Sequence, residues 1–276
     1  MTTFAGEGKS LVGHVRQLTS SDLGAAERLL RADPIMNCFI DARVRWAGLD
    51  PWRLGGDMWG YFDADSLTSL VYVGANLVPV ATTPASRAAI ADRLRAMPRR
   101  CSSFVGPAAE VLDLWRLLEP VWGPAREVRD DQPLMVMDTD STLDTDPLVR
   151  PARPSDLDVL VPACIAMFTE EVGVSPVRGG AGHGYRARIA ELVDAGRAFV
   201  RIVDGRVEFK AEVGAASPQA CQVQGVWVAP HLRGRGLSGP AMASVVRQAR
   251  ESISPVVSLY VNSYNHAAVK LYRSVG

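Results

Sequence analysis

The chain has 276 residues, of which 47% are apolar and 22% are charged, the composition of a globular protein. Thirty basic residues balance thirty acidic ones, so no net field favours nucleic acid or an anionic membrane surface. The length suits two domains of ordinary size.

Four cysteines lie singly along the chain, and no C-x-x-C pair or histidine at ligand spacing accompanies them. We therefore expect reduced thiols and no metal site. The first residues lack a basic start followed by an apolar stretch, and no apolar run approaches the ~20 residues of a membrane span. These features predict a soluble, cytoplasmic protein without a nucleic-acid or membrane partner.

Two halves of the chain share short patterns. Val15-Arg16 and Ser21-Asp22-Leu23 recur, at the same spacing, as Val149-Arg150 and Ser155-Asp156-Leu157. Each copy predicts a short strand, a helix N-cap and an amphipathic helix. Residues 111–116 (VLDLWR) also parallel 268–273 (AVKLYR). The repetition indicates a tandem duplication.

A polar, acidic stretch over 138–147 has no apolar periodicity and predicts a linker. We therefore expect an N-terminal domain over 1–137 and a C-terminal domain over 148–276. In the second domain the patterns predict strands over 148–150, 198–203, 206–214, 221–229 and 256–261, and helices over 156–171, 185–195, 237–252 and 266–275. A glycine-rich loop around 179–184 should separate the first two helices. Asp204-Gly205 predicts a tight hairpin turn. The expected class is α/β with a mixed sheet. Its strands should be antiparallel up to the third strand of the hairpin, 221–229, and the crossover after that strand should be parallel.

A second glycine-rich loop follows that third strand and leads into a helix. Its residues are Arg233, Gly234, Arg235, Gly236, Leu237, Ser238 and Gly239. Glycines let backbone N–H groups approach a ligand, and the helix N-terminus adds the positive end of its dipole. The loop therefore predicts an anion site, with two arginines adding charge. The glycines also match G-x-G-x-x-G, the fingerprint of dinucleotide-binding proteins. That interpretation is disfavoured, because residues 230–233 separate the strand from the first glycine and no carboxylate follows the next strand.

Two motifs in this half resemble those of the GNAT superfamily of N-acetyltransferases. The first, Gln/Arg-x-x-Gly-x-Gly/Ala, runs here from Arg233 to Ser238, directly after 226–230 (VWVAP). The second covers 259–272 and is followed by Gly276. At the last position of the first motif, this chain has Ser238 where the family usually has Gly or Ala. After the glycine that corresponds to Gly276, members of the family normally continue with an aromatic residue and one further strand. The whole chain resembles actinobacterial two-domain members, whose N-terminal domain has no assigned function.

The resemblance implies an N-acetyltransferase that uses acetyl-CoA, without a metal, to acetylate a primary amine of a small molecule or peptide. Oligomerisation is left open. The implied cofactor-binding residues are the loop from Arg233 to Gly239 together with Val226, Trp227, Val228, Asn262, Asn265 and Tyr272. The strand carrying Val226 should splay from its neighbour, with Gly225 as a bulge position. Asn265 also reads as the N-cap of the last helix, a competing role for its amide.

Tyr272 is the candidate general acid, because a phenol with an ordinary pKa near ~10 keeps its proton at neutral pH. The alternative is that Tyr272 only continues an apolar helix stripe. Glu170 and Glu171, at the end of the first helix of this half, are the candidate bases, since partial burial there would raise a carboxyl pKa. Glu208 and Glu212, which alternation places on one strand face, and His183 are alternatives.

The N-terminal half has no counterpart of the glycine loop, and Trp115 stands where Tyr272 would align. An indole cannot act as an acid. We therefore expect a degenerate, GNAT-like, non-catalytic copy that walls the acceptor groove or supports assembly. The competing function for the whole chain is a catalytically weak acyl-CoA-binding sensor.

Overall fold

The computed structural model describes residues 13–276, which form two compact units dividing after Asp130. In chain order the first unit contains β1 (His14–Gln17), α1 (Leu23–Ala32), α2 (Cys38–Ala47), α3 (Pro51–Leu54), β2 (Asp57–Asp63), β3 (Ser66–Val73), β4 (Asn76–Val80), α4 (Pro84–Arg95), β5 (Ser103–Phe104) and α5 (Ala108–Trp122). Its sheet has the order β1-β2-β3-β4-β5, and only the pair β4–β5 is parallel.

Side chains alternate along β3 between two cores of this unit, as a pleated strand requires. Leu70 and Tyr72 pack with α1 and α2, whereas Val71 and Val73 pack with α4 and α5. The sheet is therefore covered by helices on both faces.

The second unit contains β6 (Leu134–Met137), β7 (Arg150–Pro151), α6 (Leu157–Val172), α7 (Gly182–Asp194), β8 (Ala198–Val203), β9 (Arg206–Ala216), β10 (Ala220–Val228), α8 (Ser238–Ser252), β11 (Val256–Tyr260) and α9 (His266–Val275). Its sheet has the order β7-β8-β9-β10-β11-β6, and only β10–β11 is parallel. The predicted parallel crossover after the third strand is therefore confirmed.

The two faces of β9 have opposite character. Phe209, Ala211 and Val213 are fully buried in the core that α8 and α9 cover. Lys210 and Glu212 point the other way, toward α6. One face of this buried strand is therefore apolar, and the other carries charged side chains.

The two units repeat the same series of elements, from a first strand and helices through three antiparallel strands to a helix, a parallel strand and a helix. The sequence echo has a structural counterpart, because Arg16 pairs with Asp22 through two hydrogen bonds of 2.8 and 2.7 Å. Arg150 pairs with Asp156 in the same way, at 2.7 and 3.1 Å. Each pair ties a short strand, β1 or β7, to the start of the long helix that follows it. The predicted α/β class with two domains is confirmed.

The predicted domain boundary and linker differ from the structure. Residues 134–137 form β6, which pairs antiparallel with β11 and so belongs to the second unit. Residues 138–147 also lie on that unit: Asp140 pairs with Arg250, and Leu143 packs against the α8 core. The acidic composition predicted a solvated linker, because the sequence does not show that arginines far along the chain pair with these aspartates.

Smaller differences concern the first helices of the second unit. The predicted strand over 148–150 is reduced to Arg150–Pro151. Helix α7 begins at Gly182, so the glycine-rich loop ends before it, and positive φ angles occur at Gly179 and Gly180. The predicted turn at Asp204-Gly205 is confirmed, with φ angles of 47° and 72°. Among the helices of residues 13–276, none combines the length and the apolar character needed to cross a membrane.

Candidate active site

Strand β10 carries a bulge next to the point where it leaves β11. Two residues of β10, Gly225 and Val226, stand opposite the single residue Ala211 of β9. Gly225 has a φ of 59°, a left-handed conformation that glycine adopts without strain. The parallel pairing of β10 with β11 covers only residues 220–222 and 256–258, so the strands part before the bulge. The structure thus contains the predicted bulge and the predicted opening.

The loop after β10 presents backbone N–H groups at a helix N-terminus. Gly234 and Gly236 adopt φ angles of 74° and 78°, and α8 begins at Ser238. The N–H groups of residues 234–237 donate no hydrogen bond to any described residue. Pro240 lies in the first turn, where its missing N–H has no cost. The loop therefore fits an anionic group such as a pyrophosphate.

Arg233, the first residue of that loop motif, is already engaged by the protein. Its Nη1 and Nη2 atoms donate to the two carboxylate oxygens of Glu170 at 2.6 and 2.7 Å, and its Nε donates to the Val228 carbonyl oxygen at 3.0 Å. The guanidinium lowers the pKa of Glu170, whose side chain is 53% exposed. The expectation that burial raises the Glu170 pKa is therefore wrong. Arg235, by contrast, is exposed.

Tyr272 lies on α9 and packs against the α8 core beside Leu271 and Ala268. Burial raises its pKa to about 12, and the negative charge of Glu171 contributes to the rise. Glu171 is itself exposed at the end of α6. The structure therefore brings the phenol and the end of α6 within electrostatic range, and Tyr272 is also part of an apolar stripe.

The two asparagines of the second motif have protein partners. Asn265 accepts a hydrogen bond from the Ala268 N–H at 3.2 Å, so the predicted N-cap is confirmed. Asn262 accepts one from Gln132 at 2.6 Å. A ligand contact by either amide oxygen would share or replace these bonds.

Glu208 and Glu212 do not share a strand face, contrary to the alternation pattern. A bulge between Val207 and Phe209 places Glu208 on the α8 side, where it pairs with Arg201. Glu212 lies on the α6 side. His183 is exposed within α7 rather than in a loop.

Three buried polar side chains lie together beside the bulge, and their grouping was not predicted from the sequence. Lys210 is 0% exposed, Glu212 9% and Cys164 1%. The Lys210 ammonium donates to Glu212 Oε1 and, at 3.3 Å, to Cys164 Sγ. The only sequence signal was a lysine between apolar neighbours in a predicted strand. Elsewhere in residues 13–276, as here, no three His, Cys, Asp or Glu side chains are grouped to hold a metal.

The equivalent region of the first unit is closed. Residues 81–83 alone join β4 to α4, and Thr83 caps that helix by accepting from the Ser86 N–H at 3.2 Å. The Glu110 carboxylate accepts from the Thr82 N–H at 2.8 Å. Trp115 packs edge to face against Phe104, with ring centroids 5.2 Å apart. The protein's own groups thus occupy the position that is open in the second unit.

The sheet order, the parted strands and the loop of free N–H groups together define the second unit as an α/β domain with an anion-type loop beside a strand opening. Residues 189–276 match the model of the acetyltransferase (GNAT) family, so this part of the chain is a GNAT acetyltransferase domain. Residues 56–160 match the model of a domain of unknown function, DUF4081, which extends across the division between the units. A search of curated proteins gave no match.

Two solved structures are similar to the chain over nearly its whole length. An acetyltransferase of the GNAT family from Colwellia psychrerythraea has 15% identity and a TM-score of 0.54, with 95% of this chain and 94% of that chain covered. A protein from Drosophila has 12% identity and a TM-score of 0.62 at the same coverages. At these identities the likeness concerns the fold, and it extends over both units.

Proposed function

We propose that the second unit transfers an acetyl group from acetyl-CoA to a primary amine of a small molecule or peptide. The observation that carries the proposal is the bulge at Gly225, where β10 parts from β11 immediately before a loop of free N–H groups. The match to the acetyltransferase family supports acyl transfer as the reaction class. The donor and the acceptor are our inference.

The chain's own groups divide the work of holding the donor. The N–H groups of residues 234–237 and the N-terminus of α8 would bind the pyrophosphate. Residues 226–228 would offer backbone groups to the pantetheine, because β11 does not pair with them. Acetyl-CoA supplies the activated thioester when it is bound.

Proton transfer to the leaving sulfur would fall to Tyr272. Its pKa of about 12 keeps the phenol protonated throughout the neutral range, so a proton is available to the sulfur as the C–S bond breaks. Backbone N–H groups at the bulge are the candidates for stabilising the carbonyl oxygen during attack. The attack itself needs a neutral amine, which requires a base.

The test is acetyl-CoA consumption by the full chain with a panel of primary amines and N-terminal peptides, followed by the thiol released. We expect Tyr272→Phe to lower kcat by about 100-fold or more while CoA binding is kept. Tyr264→Phe is the matched control, because Tyr264 is 63% exposed before α9. Tight CoA binding without turnover on any acceptor would instead identify an acyl-CoA sensor and refute the enzyme proposal.

We also propose that the first unit does not bind CoA. Its strand-to-helix connection is three residues long and capped, and the Glu110 carboxylate accepts from the Thr82 N–H just before the helix. A carboxylate beside that helix N-terminus repels a second anion.

A further inference from the structure

The sheet beside the bulge is filled on its α8 face. On the α8 side, the side chains of Phe209, Ala211 and Val213 are 0% exposed and fill the core. An acceptor amine must therefore reach the bulge from the α6 side. That is the side on which Lys210, Glu212 and Cys164 lie.

The cluster touches the bulge directly. A Cβ atom placed on Gly225 would lie 3.2 Å from Lys210 Nζ, 3.3 Å from Glu212 Oε2 and 3.3 Å from Met167 Cε. The charged groups therefore rest against the backbone of the residue at which β10 opens. Glycine at this position leaves the space that they occupy.

The two oxygens of Glu212 have different surroundings. Oε1 accepts from the Lys210 ammonium and, at 3.3 Å, from the Cys164 thiol, whose pKa burial raises to about 12. Oε2 receives no hydrogen bond from residues 13–276 and faces Gly225. The carboxylate is thus fixed by one oxygen and keeps the other for a ligand.

The carboxylates at the end of α6 are less suited to take up a proton from an acceptor. Glu170 is held by both guanidinium nitrogens of Arg233, and Glu171 is exposed to solvent. Glu212 is the carboxylate that lies at the bulge and is shielded from water. A primary amine with an ordinary pKa near ~10 arrives protonated and must lose a proton before it can attack.

We propose that Glu212 Oε2 is the general base of the acetyl transfer and that Lys210 is the positioning residue that holds it. This inference rests on the proposed function. The ammonium form of the acceptor passes one proton to Oε2 and becomes a neutral amine. Its lone pair forms the C–N bond with the acetyl carbon, and the C–S bond breaks.

The proton balance then closes through two groups. Tyr272 gives its proton to the sulfur, so that CoA leaves as a thiol, and the phenolate takes back the second proton from the amide nitrogen. Glu212 releases the first proton to solvent. The net products are the acetamide, CoA and one proton, and no oxidant or metal is required.

The first experiment compares Glu212→Gln with Glu208→Gln in the full chain. Both changes are isosteric and both residues lie on β9, but Glu208 faces α8 and pairs with Arg201. The acceptor is the panel amine on which the wild-type protein turns over fastest. We expect Glu212→Gln to lower kcat/KM at least 100-fold with CoA affinity within threefold, and Glu208→Gln to stay within threefold of wild type. Retention of more than a third of the activity by Glu212→Gln would overturn the proposal.

The second experiment uses pH, which a merely structural role would not affect. The other titratable groups facing Glu212 are Lys210 on β9, Cys164 on α6 and Tyr185 on α7; its cross-strand neighbours on β8 and β10 do not titrate. Lys210→Met removes the positive charge that donates to Glu212 Oε1, so it should shift the pH profile of kcat/KM toward higher pH. An unmoved profile in an active Lys210→Met variant would overturn the positioning role.

A double variant guards against misfolding. Lys210→Met with Glu212→Leu leaves no unpaired buried charge, so the fold should be kept. We expect this protein to bind CoA and to lack turnover, and turnover near the wild-type rate would overturn the proposal. A wild-type protein silent on every acceptor would refute the proposed function, whereas an active wild type with an equally active Glu212→Gln would refute only this inference.

Discussion

Replacing Gly225 by alanine tests the link between the bulge and the buried cluster. The residue has a φ of 59°, and a left-handed conformation costs an L residue about 1–2 kcal/mol. The new Cβ would also lie 3.2 to 3.3 Å from Lys210 Nζ and Glu212 Oε2, so both tips must move by a few tenths of an ångström. The Lys210 ammonium and the Glu212 carboxylate are hydrogen-bonded to each other, and weakening that charged hydrogen bond adds roughly 1–2 kcal/mol to the loss of stability.

Gly205 provides a matched control within the same unit. Its φ is 72°, and a Cβ there would meet nothing within 4 Å. Gly205→Ala should therefore carry the backbone cost alone, about 1–2 kcal/mol, whereas Gly225→Ala should lose about 2–4 kcal/mol. Only Gly225→Ala should also lower kcat/KM, by about tenfold or more, since it displaces Glu212.

Hydrogen exchange of the α8 and β9 amides measures the free energy of opening of the second unit separately from the first. Acetyl-CoA turnover measures the activity of the same samples. Equal loss of stability and equal activity in the two variants would refute the idea that the cluster and the bulge are coupled.

Four further outcomes follow from the site. Glu170→Gln should tighten CoA binding up to about fivefold at low salt, because it frees Arg233 from a half-exposed pair worth at most about 1 kcal/mol; weaker binding by calorimetry would contradict this. Tyr272, with a pKa of about 12, stays protonated as the pH rises from 7 to 10, so kcat should not fall over that range, and a fall that disappears in Tyr272→Phe would contradict this protonation state. Asp156→Asn should destabilise the second unit by about 1–2 kcal/mol at pH 7. The Asp156 pKa lies below the ordinary 3.8, so that difference should persist above this value and vanish as the pH falls through the folded-state pKa, as hydrogen exchange can show. Finally, titration calorimetry should give one CoA per chain, and two would refute the proposal for the first unit.

Much of the second unit could be predicted from local patterns. The hairpin around Asp204-Gly205, the parallel crossover and the helix over His266–Val275 depend on periodicity and turn chemistry within short windows. The phosphate-type loop was also predictable, because glycines before a helix N-terminus act locally. Local order thus fixed the elements from β8 onward.

What could not be predicted depends on contacts between distant residues. The stretch 138–147 looked like a linker because Arg250 and Arg201, which bind its aspartates, lie far along the chain. Glu170 looked like a base because the Arg233 that neutralises it belongs to another element. Likewise, a bulge at Glu208 reversed the alternation that had placed it with Glu212. A pattern in one strand cannot reveal a shift of register against its neighbour.

The comparison of the two units explains why chemistry should be confined to one of them. Apart from the extra strand β6 in the second unit, both have the same order of strands, so the fold alone does not decide which unit carries the chemistry. The first unit turns from β4 into α4 in three residues, with Glu110 bound to the Thr82 N–H just before the helix, whereas the second inserts a glycine loop with free N–H groups. Trp115 stands where the second unit has Tyr272, the acid that we propose, and an indole does not supply a proton in that way. In the second unit, the same opening is lined by a buried carboxylate held by a lysine. In our proposal, the unit that carries the chemistry thus differs from the other in one loop, one helix position and one polar cluster.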